Sequence, residues 1–239
     1  MNGAMSSHTR TVFDADLQDL MRMIAEMGGI AEQQIMQTFD ALAQRNAELA
    51  HLVIDRDTAL DTLQTKIEEK GVNIIAQRQP LANDLREIIS ALHISCDLER
   101  IGDLAKNISK RAIAIGKELL PISLIAGIEH MTRMVMGQFK TALDSYAGRD
   151  ASGALAVRNG DLQIDALNNA LFYETMVYMS EDPNNVVACT QILFCIKNLE
   201  RIGDHVTNIA EAIHYIISGH VSANERPKGN TTSFTALRT

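Results

Sequence analysis

Eight acidic residues stand in four pairs, each spaced i, i+4: Asp57 and Asp61, Glu99 and Asp103, Asp161 and Asp165, Glu200 and Asp204. On a helix such a pair shares one face, a turn apart. One isolated pair is commonly a solvated helix face, but pairs that converge can bind cations. Carboxylates with no Cys or His among them suit hard ions, Mg²⁺, Ca²⁺, Mn²⁺ or iron, with Zn²⁺ as a further candidate. Asn107 and Asn208 follow the aspartates by one turn and are candidates to add a carbonyl ligand or a hydrogen bond just outside the ligand set.

The pairs belong to an internal repeat. Asp97-Leu98-Glu99-Arg100-Ile101-Gly102-Asp103 returns as Asn198-Leu199-Glu200-Arg201-Ile202-Gly203-Asp204 at an offset of 101 residues, and Asp57 and Asp61 return as Asp161 and Asp165 at an offset of 104. A changed hairpin turn between the two motifs accounts for the slip. Repetition of this kind marks two copies of one structural unit.

The elements that must position these residues are helices. Only 4 prolines, no tryptophan and 4% aromatic residues, with abundant Ala, Leu, Ile, Met and Gln, favour an all-α chain. The pattern predicts six helices, at about 13–44, 46–79, 81–116, 123–147, 150–181 and from Pro183 to about 218. They group into two tandem three-helix bundles, residues 10–119 and 120–220, with 1–9 and 221–239 read as disordered ends.

In the sixth helix Ile192, Leu199, Val206 and Ile213 fall at one seam position, and Ile196, Gly203, Ala210 and Ile217 at the other. Glu200 and Asp204 then lie on the flank of the seam. In the second helix Val53, Leu60, Ile67 and Ile74 set the seam and put Asp57 and Asp61 on the same flank. Gly102 and Gly203 sit in the seam and let a neighbouring helix approach beneath the acids. Height agrees with this placement. Asp57 with Asp103, and Asp61 with Glu99, each average to position 80, which is Pro80. Asp161 with Asp204, and Asp165 with Glu200, each average to 182.5, beside Pro183. Two proline-marked hairpins thus bring four carboxylates to one level in each copy.

Such a cluster repels itself. A like-charge pair about 4 Å apart costs roughly 4 kcal/mol at an effective dielectric near 20. Protonation or bound cations relieve this. Arg100 and Arg201 are expected to point away, which leaves metal binding as the more economical answer.

Composition excludes other classes. A net charge of −8 with no dense Lys/Arg stripe argues against a nucleic-acid partner. The N-terminus has neither the apolar run nor the cleavage site of a signal peptide, and no segment is long and apolar enough to span a membrane. Three cysteines, Cys96, Cys189 and Cys195, lack CxxC spacing and fit a reducing cytosol, Cys189 as a buried apolar residue. Glu48/His51 and Glu211/His214 match Glu-x-x-His but lie off the acidic cluster, so a di-metal carboxylate enzyme is the weaker alternative. A purely structural helical scaffold is another. No catalytic triad, phosphate loop or Cys–His pair is visible, so no enzyme activity is expected.

The runs Arg78-Gln79-Pro80-Leu81-Ala82-Asn83-Asp84-Leu85-Arg86, Glu99 to Asp103, and Asn198 to Glu211 resemble the PhoU family, over about residues 10–220. The fourth helix and the tail match its pattern least. The resemblance implies two three-helix bundles with metal clusters on the second and third helix of each, at Asp57, Asp61, Glu99 and Asp103 and at Asp161, Asp165, Glu200 and Asp204. It further implies a cytoplasmic, non-catalytic negative regulator of the phosphate-starvation response. Such a protein couples the phosphate ABC transporter, through its ATPase subunit PstB, to the sensor histidine kinase PhoR. The family often forms a homodimer and meets the membrane only through its partners.

Overall fold

The computed structural model describes the backbone of residues 2–116, 118 and 120–220, and the side chains of these from Phe13 onward. Among them the chain is helical throughout: α1 (Asn2–Gln44), α2 (Ala47–Arg56), α3 (Thr58–Arg78), α4 (Ala82–Ile115), α5 (Ile122–Gly148), α6 (Ala151–Glu181) and α7 (Val186–Ser218), with a short 3₁₀ turn at Pro183–Asn185. Helices α2 and α3 form the single second helix expected from the sequence. Asp57 keeps right-handed helical angles (φ −57°, ψ −36°), and the Leu60 amide reaches back only three residues to its carbonyl. The irregularity therefore falls on one of the acidic residues.

The backbone of residues 2–9, within the stretch expected as a disordered end, continues α1. No proline interrupts them, and a formed helix extends by one hydrogen bond per residue without a new nucleus. The stretch read as the other disordered end, 221–239, lies outside the described residues.

Helices α1, α2–α3 and α4 pack as one bundle and α5, α6 and α7 as the other; α4 lies against α7 to join them. One continuous apolar core runs through both. The seam residues of α7 are buried from Ile192 to Ile213, whereas Ile217, in its last turn, is exposed.

The repeat extends to the first helix of each copy, where half of the matched core positions keep their residue type. At an offset of 104, Leu20, Ile24, Met27, Ala31, Ile35 and Leu42 correspond to Leu124, Ile128, Met131, Val135, Phe139 and Tyr146, and all twelve are buried. The following turns also match. Arg45 and Arg149 are left-handed (φ 54° and 52°), and Asn46 and Asp150 cap the next helix, accepting hydrogen bonds from the amides of Leu49 (3.0 Å) and Ser152 (2.9 Å). The second hairpins differ, left-handed Gln79 before Pro80 in one and the Pro183–Asn185 turn in the other, which explains the three-residue change of offset.

Candidate metal centres

In the first bundle α2–α3 and α4 touch at Gly102. A Cβ placed on this glycine would run into Leu60 and lie 2.9 Å from Gln34 Oε1 and 3.3 Å from Asp57 Oδ1. The missing side chain is what lets Asp57 approach α4. Asp57 is 4% exposed. The Lys106 ammonium donates to Asp57 Oδ2 and, at 2.6 Å, to Asp103 Oδ1, so these two carboxylates share one cation at one height. Glu99 is half-buried one turn away, and Asp61 stands exposed at the rim.

The electrostatics register the convergence. Burial, against hydrogen bonding from Lys106 and with repulsion from Asp103 and Asp61, pushes the Asp57 carboxyl above its ordinary pKa. Burial and the charges of Asp103, Asp61 and Asp57, opposed by Arg100, do the same to Glu99. The charges of the other three predicted residues therefore all reach Glu99. Burial works against the Lys106 charge, but hydrogen bonds to Asp103 and Asp57 outweigh it and raise the lysine pKa.

In the second bundle Asp161, Asp165 and Glu200 are 3%, 5% and 5% exposed, a deeper set than the first, while Asp204 is half-buried. Asp161 faces the turn of α7 around Asp204. Its Oδ1 accepts from Thr207 Oγ1 at 3.4 Å and lies 3.9 Å from where a Gly203 Cβ would stand. Lys197 donates to Glu200 Oε1 at 2.7 Å, and Asp161, Asp165, Glu200 and Asp204 have further hydrogen-bonding or electrostatic interactions.

Two expectations need correction. Arg100 does not point clear of the cluster: its guanidinium lies 3.5 Å from Glu99 and 3.6 Å from Asp103, because a long flexible side chain folds back along its own helix toward negative charge. Arg201, its counterpart, is exposed. Asn208 does not turn toward the acids of its own copy. It donates to Asp97 of the other bundle at 3.2 Å, beside His205, whose Nδ1 is 2.8 Å from the same oxygen. Asn107 is exposed.

The donor set fits a hard cation in kind. It is all oxygen, partly buried and mutually repelling. An amide not foreseen from the sequence adds to it: Gln34 is 2% exposed, neither of its amide atoms has a hydrogen-bond partner, and its oxygen lies on the Asp57 side of Gly102. An unsatisfied buried amide costs about 1–3 kcal/mol, so a ligand for it is favourable. As the side chains stand, no group of three or more His, Cys, Asp and Glu residues among those described is poised to ligate one ion. In the first site the reason is visible, since the lysine ammonium holds Asp57 and Asp103.

A family model described as the PhoU domain matches this chain twice, over residues 24–112 and 128–213. The chain belongs to the PhoU family. It is 47% identical over 227 residues to the phosphate-specific transport system accessory protein PhoU homolog of Rhizobium meliloti, covering 95% of this chain and 96% of that one. It is 45% identical to the protein of the same description from Caulobacter vibrioides, covering 94% and 97%. The crystal structure of PhoU from Pseudomonas aeruginosa superposes with a TM-score of 0.84 at 36% identity, over 87% of this chain and all of that one. The phosphate transport system regulatory protein PhoU from Streptococcus pneumoniae gives 0.82 at 28% identity.

Within this PhoU fold the residues missed from sequence are Lys106, Thr207, Gln34 and Gln138. Each carried a signal. Lys106 and Thr207 lie seven residues after Glu99 and Glu200, on the same helix edge, and Gln34 and Gln138 are related by the offset of 104. Gln138 likewise faces the acids' neighbour, its Nε2 2.7 Å from where a Gly160 Cβ would stand.

Proposed function

We propose that this chain is a metal-binding, non-catalytic accessory protein of phosphate uptake that restrains the phosphate-starvation response. It acts in the cytoplasm, as a homodimer, and couples the ATPase subunit PstB of the phosphate ABC transporter to the sensor kinase PhoR. Similarity over the whole length to accessory proteins of phosphate-specific transport supports the role. Among the described residues no helix is long and apolar enough to cross a membrane, which agrees with membrane contact only through partners.

The observation that carries the metal reading is the pair of repeated, partly buried carboxylate sets, with the orphan Gln34 amide at one of them. Asp57, Asp61, Glu99 and Asp103 would hold cations on one bundle, and Asp161, Asp165, Glu200 and Asp204 on the other. A bound cation supplies positive charge that ties the second and third helices together. Ligand chemistry favours Mg²⁺, Mn²⁺, Ca²⁺ or iron over Zn²⁺.

Co-purification of the full chain with the ATPase subunit and the kinase, with and without a chelator, tests the role. Capture of both, weakened by chelation, is expected. Failure to capture either, together with normal repression of phosphate-starvation genes in a deletion strain, refutes it. The ion pairs of Lys106 favour a second reading, a helical scaffold whose acids serve packing alone. A melting temperature and partner binding indifferent to chelation would select it.

A further inference from the structure

We propose that Gln34, on the first helix, is a ligand of the first acidic site, so that a cation bound beside Asp57 ties α1 to the hairpin of α2–α3 and α4. The inference rests on the reading above that the acids hold cations. It adds a helix that the acidic pairs themselves do not include.

Gln34 is 2% exposed, yet neither atom of its amide has a hydrogen-bond partner. One turn along α1, Thr38 shows how a buried polar group on this face is ordinarily satisfied. It is also 2% exposed, and it donates to the Ala105 carbonyl at 3.2 Å and pairs with Ser109 Oγ at 2.9 Å, both on α4. Gln34 reaches the same helix at Gly102, where there is no side chain to meet it. From the point where a Gly102 Cβ would stand, Gln34 Oε1 is 2.9 Å away and Asp57 Oδ1 is 3.3 Å away. The two oxygens are therefore no farther apart than those distances added together. Lys106 serves Asp57 and Asp103 and leaves the amide unpaired.

A carboxamide oxygen is an ordinary ligand of Mg²⁺, Ca²⁺ and Mn²⁺, and being neutral it completes a coordination shell without adding to the repulsion among carboxylates. The same residue type recurs in the other copy. Gln138, related to Gln34 by the offset of 104, also keeps an unpaired amide oxygen and lies beside Gly160. An amide can turn over, and with Nε2 toward Asp57 the side chain would only donate a hydrogen bond to the carboxylate. Two variants separate a ligand from such a donor.

Manganese binding to the full metal-free chain is followed by calorimetry and electron paramagnetic resonance for the wild type, Gln34→Leu and Gln34→Glu. Urea unfolding of each metal-free chain and hydrogen exchange of α1, with and without manganese, accompany it. Gln34→Leu should weaken part of the bound manganese by about tenfold or more, since even a partner just outside a ligand set is worth about that, and leave the rest unchanged. It should not lower metal-free stability, because an apolar side chain replaces an unsatisfied buried amide. Manganese should slow exchange around Gln34 in the wild type and not in this variant. Gln34→Glu should tighten the same part of the manganese and lower metal-free stability, because it adds a carboxylate to the cluster. It keeps the inference testable should the leucine variant fail to fold. Gln34→Leu binding manganese as the wild type does, or Gln34→Glu binding it no more tightly, overturns the inference and leaves the metal reading standing. A wild type that binds no manganese overturns both.

Discussion

Gly102 is where packing and the first site meet, and adding one methyl there measures how closely the two are linked. Relative to glycine, alanine in a helix interior gains about 1 kcal/mol from propensity. At Gly102 the new Cβ runs into Leu60, which is fully buried, and sits 2.9 Å from Gln34 Oε1 and 3.3 Å from Asp57 Oδ1. These side chains are buried, so making room displaces packed neighbours, and the overpacking cost is taken in the upper part of its usual range, about 2–3 kcal/mol. The net expectation for Gly102→Ala is a loss of about 1–2 kcal/mol, or about 2–8 °C in midpoint for a chain of this size. Two controls isolate the cause. At Gly203 the nearest atom is the flexible tip of Ile164 at 3.2 Å, so Gly203→Ala should lie within about 0.5 kcal/mol of wild type. Gly29 has nothing within 4 Å, so Gly29→Ala should stabilise by about 0.5–1 kcal/mol. Urea unfolding of the chelator-treated chain reads all three. If Gly102→Ala proves as stable as Gly29→Ala, α3 and α4 do not approach closely at this glycine, and the seating of Asp57 described above is wrong.

Other expectations follow from the same geometry. Asp57 and Glu99 have raised pKa values in the fold, so the stability they contribute is complete below their unfolded-state pKa and is lost as pH rises through the folded-state one. On acidification from neutral pH, these two carboxyls should therefore favour the fold of the metal-free chain, which Asp57→Asn/Glu99→Gln tests by flattening that part of the stability profile. Glu99→Gln alone should raise metal-free stability by a few tenths of a kcal/mol after solvent screening while weakening manganese binding; a loss of metal-free stability would contradict the repulsion. Burial pushes the Cys195 thiol up to about 12 and raises Cys189; burial and the Asp97 charge raise Cys96 as well, but its side chain is exposed to a reagent. A thiol reagent should modify Cys96 in the native chain and reach the other two only on unfolding. At left-handed Arg45, substitution by glycine should stabilise by about 0.5–1 kcal/mol, and the same change at Arg149 by less, because it also removes the ion pair to Glu87.

Much of this arrangement was legible before any coordinates. Helical periodicity with a repeated motif placed Asp57, Asp103 and their neighbours, because two residues equidistant from a hairpin turn must lie at one height. Side-chain reach is not written in periodicity. Arg100 occupies an outward position but has enough rotatable bonds to fold back on Glu99 and Asp103. Lys106 was overlooked because a single basic residue near acids looks like ordinary surface, although its place on the Glu99 edge aimed it at Asp57. The kinship of α1 and α5, expected from the repeated unit, is carried by identical pairs such as Ile24 and Ile128 and by exchanges such as Ala31 with Val135 that keep burial. Asn208 was misplaced for a different reason: its partner, Asp97, belongs to the other bundle, and contacts between repeats follow from how α4 meets α7.

The most direct measurement is anomalous X-ray scattering from crystals of the full chain grown with manganese. The account predicts peaks among Asp161, Asp165, Glu200 and Asp204 and among Asp57, Asp61, Glu99 and Asp103, with the Lys106 ammonium moved aside at the latter. A difference map empty at both places, with the carboxylates closed on their own basic side chains, would contradict it.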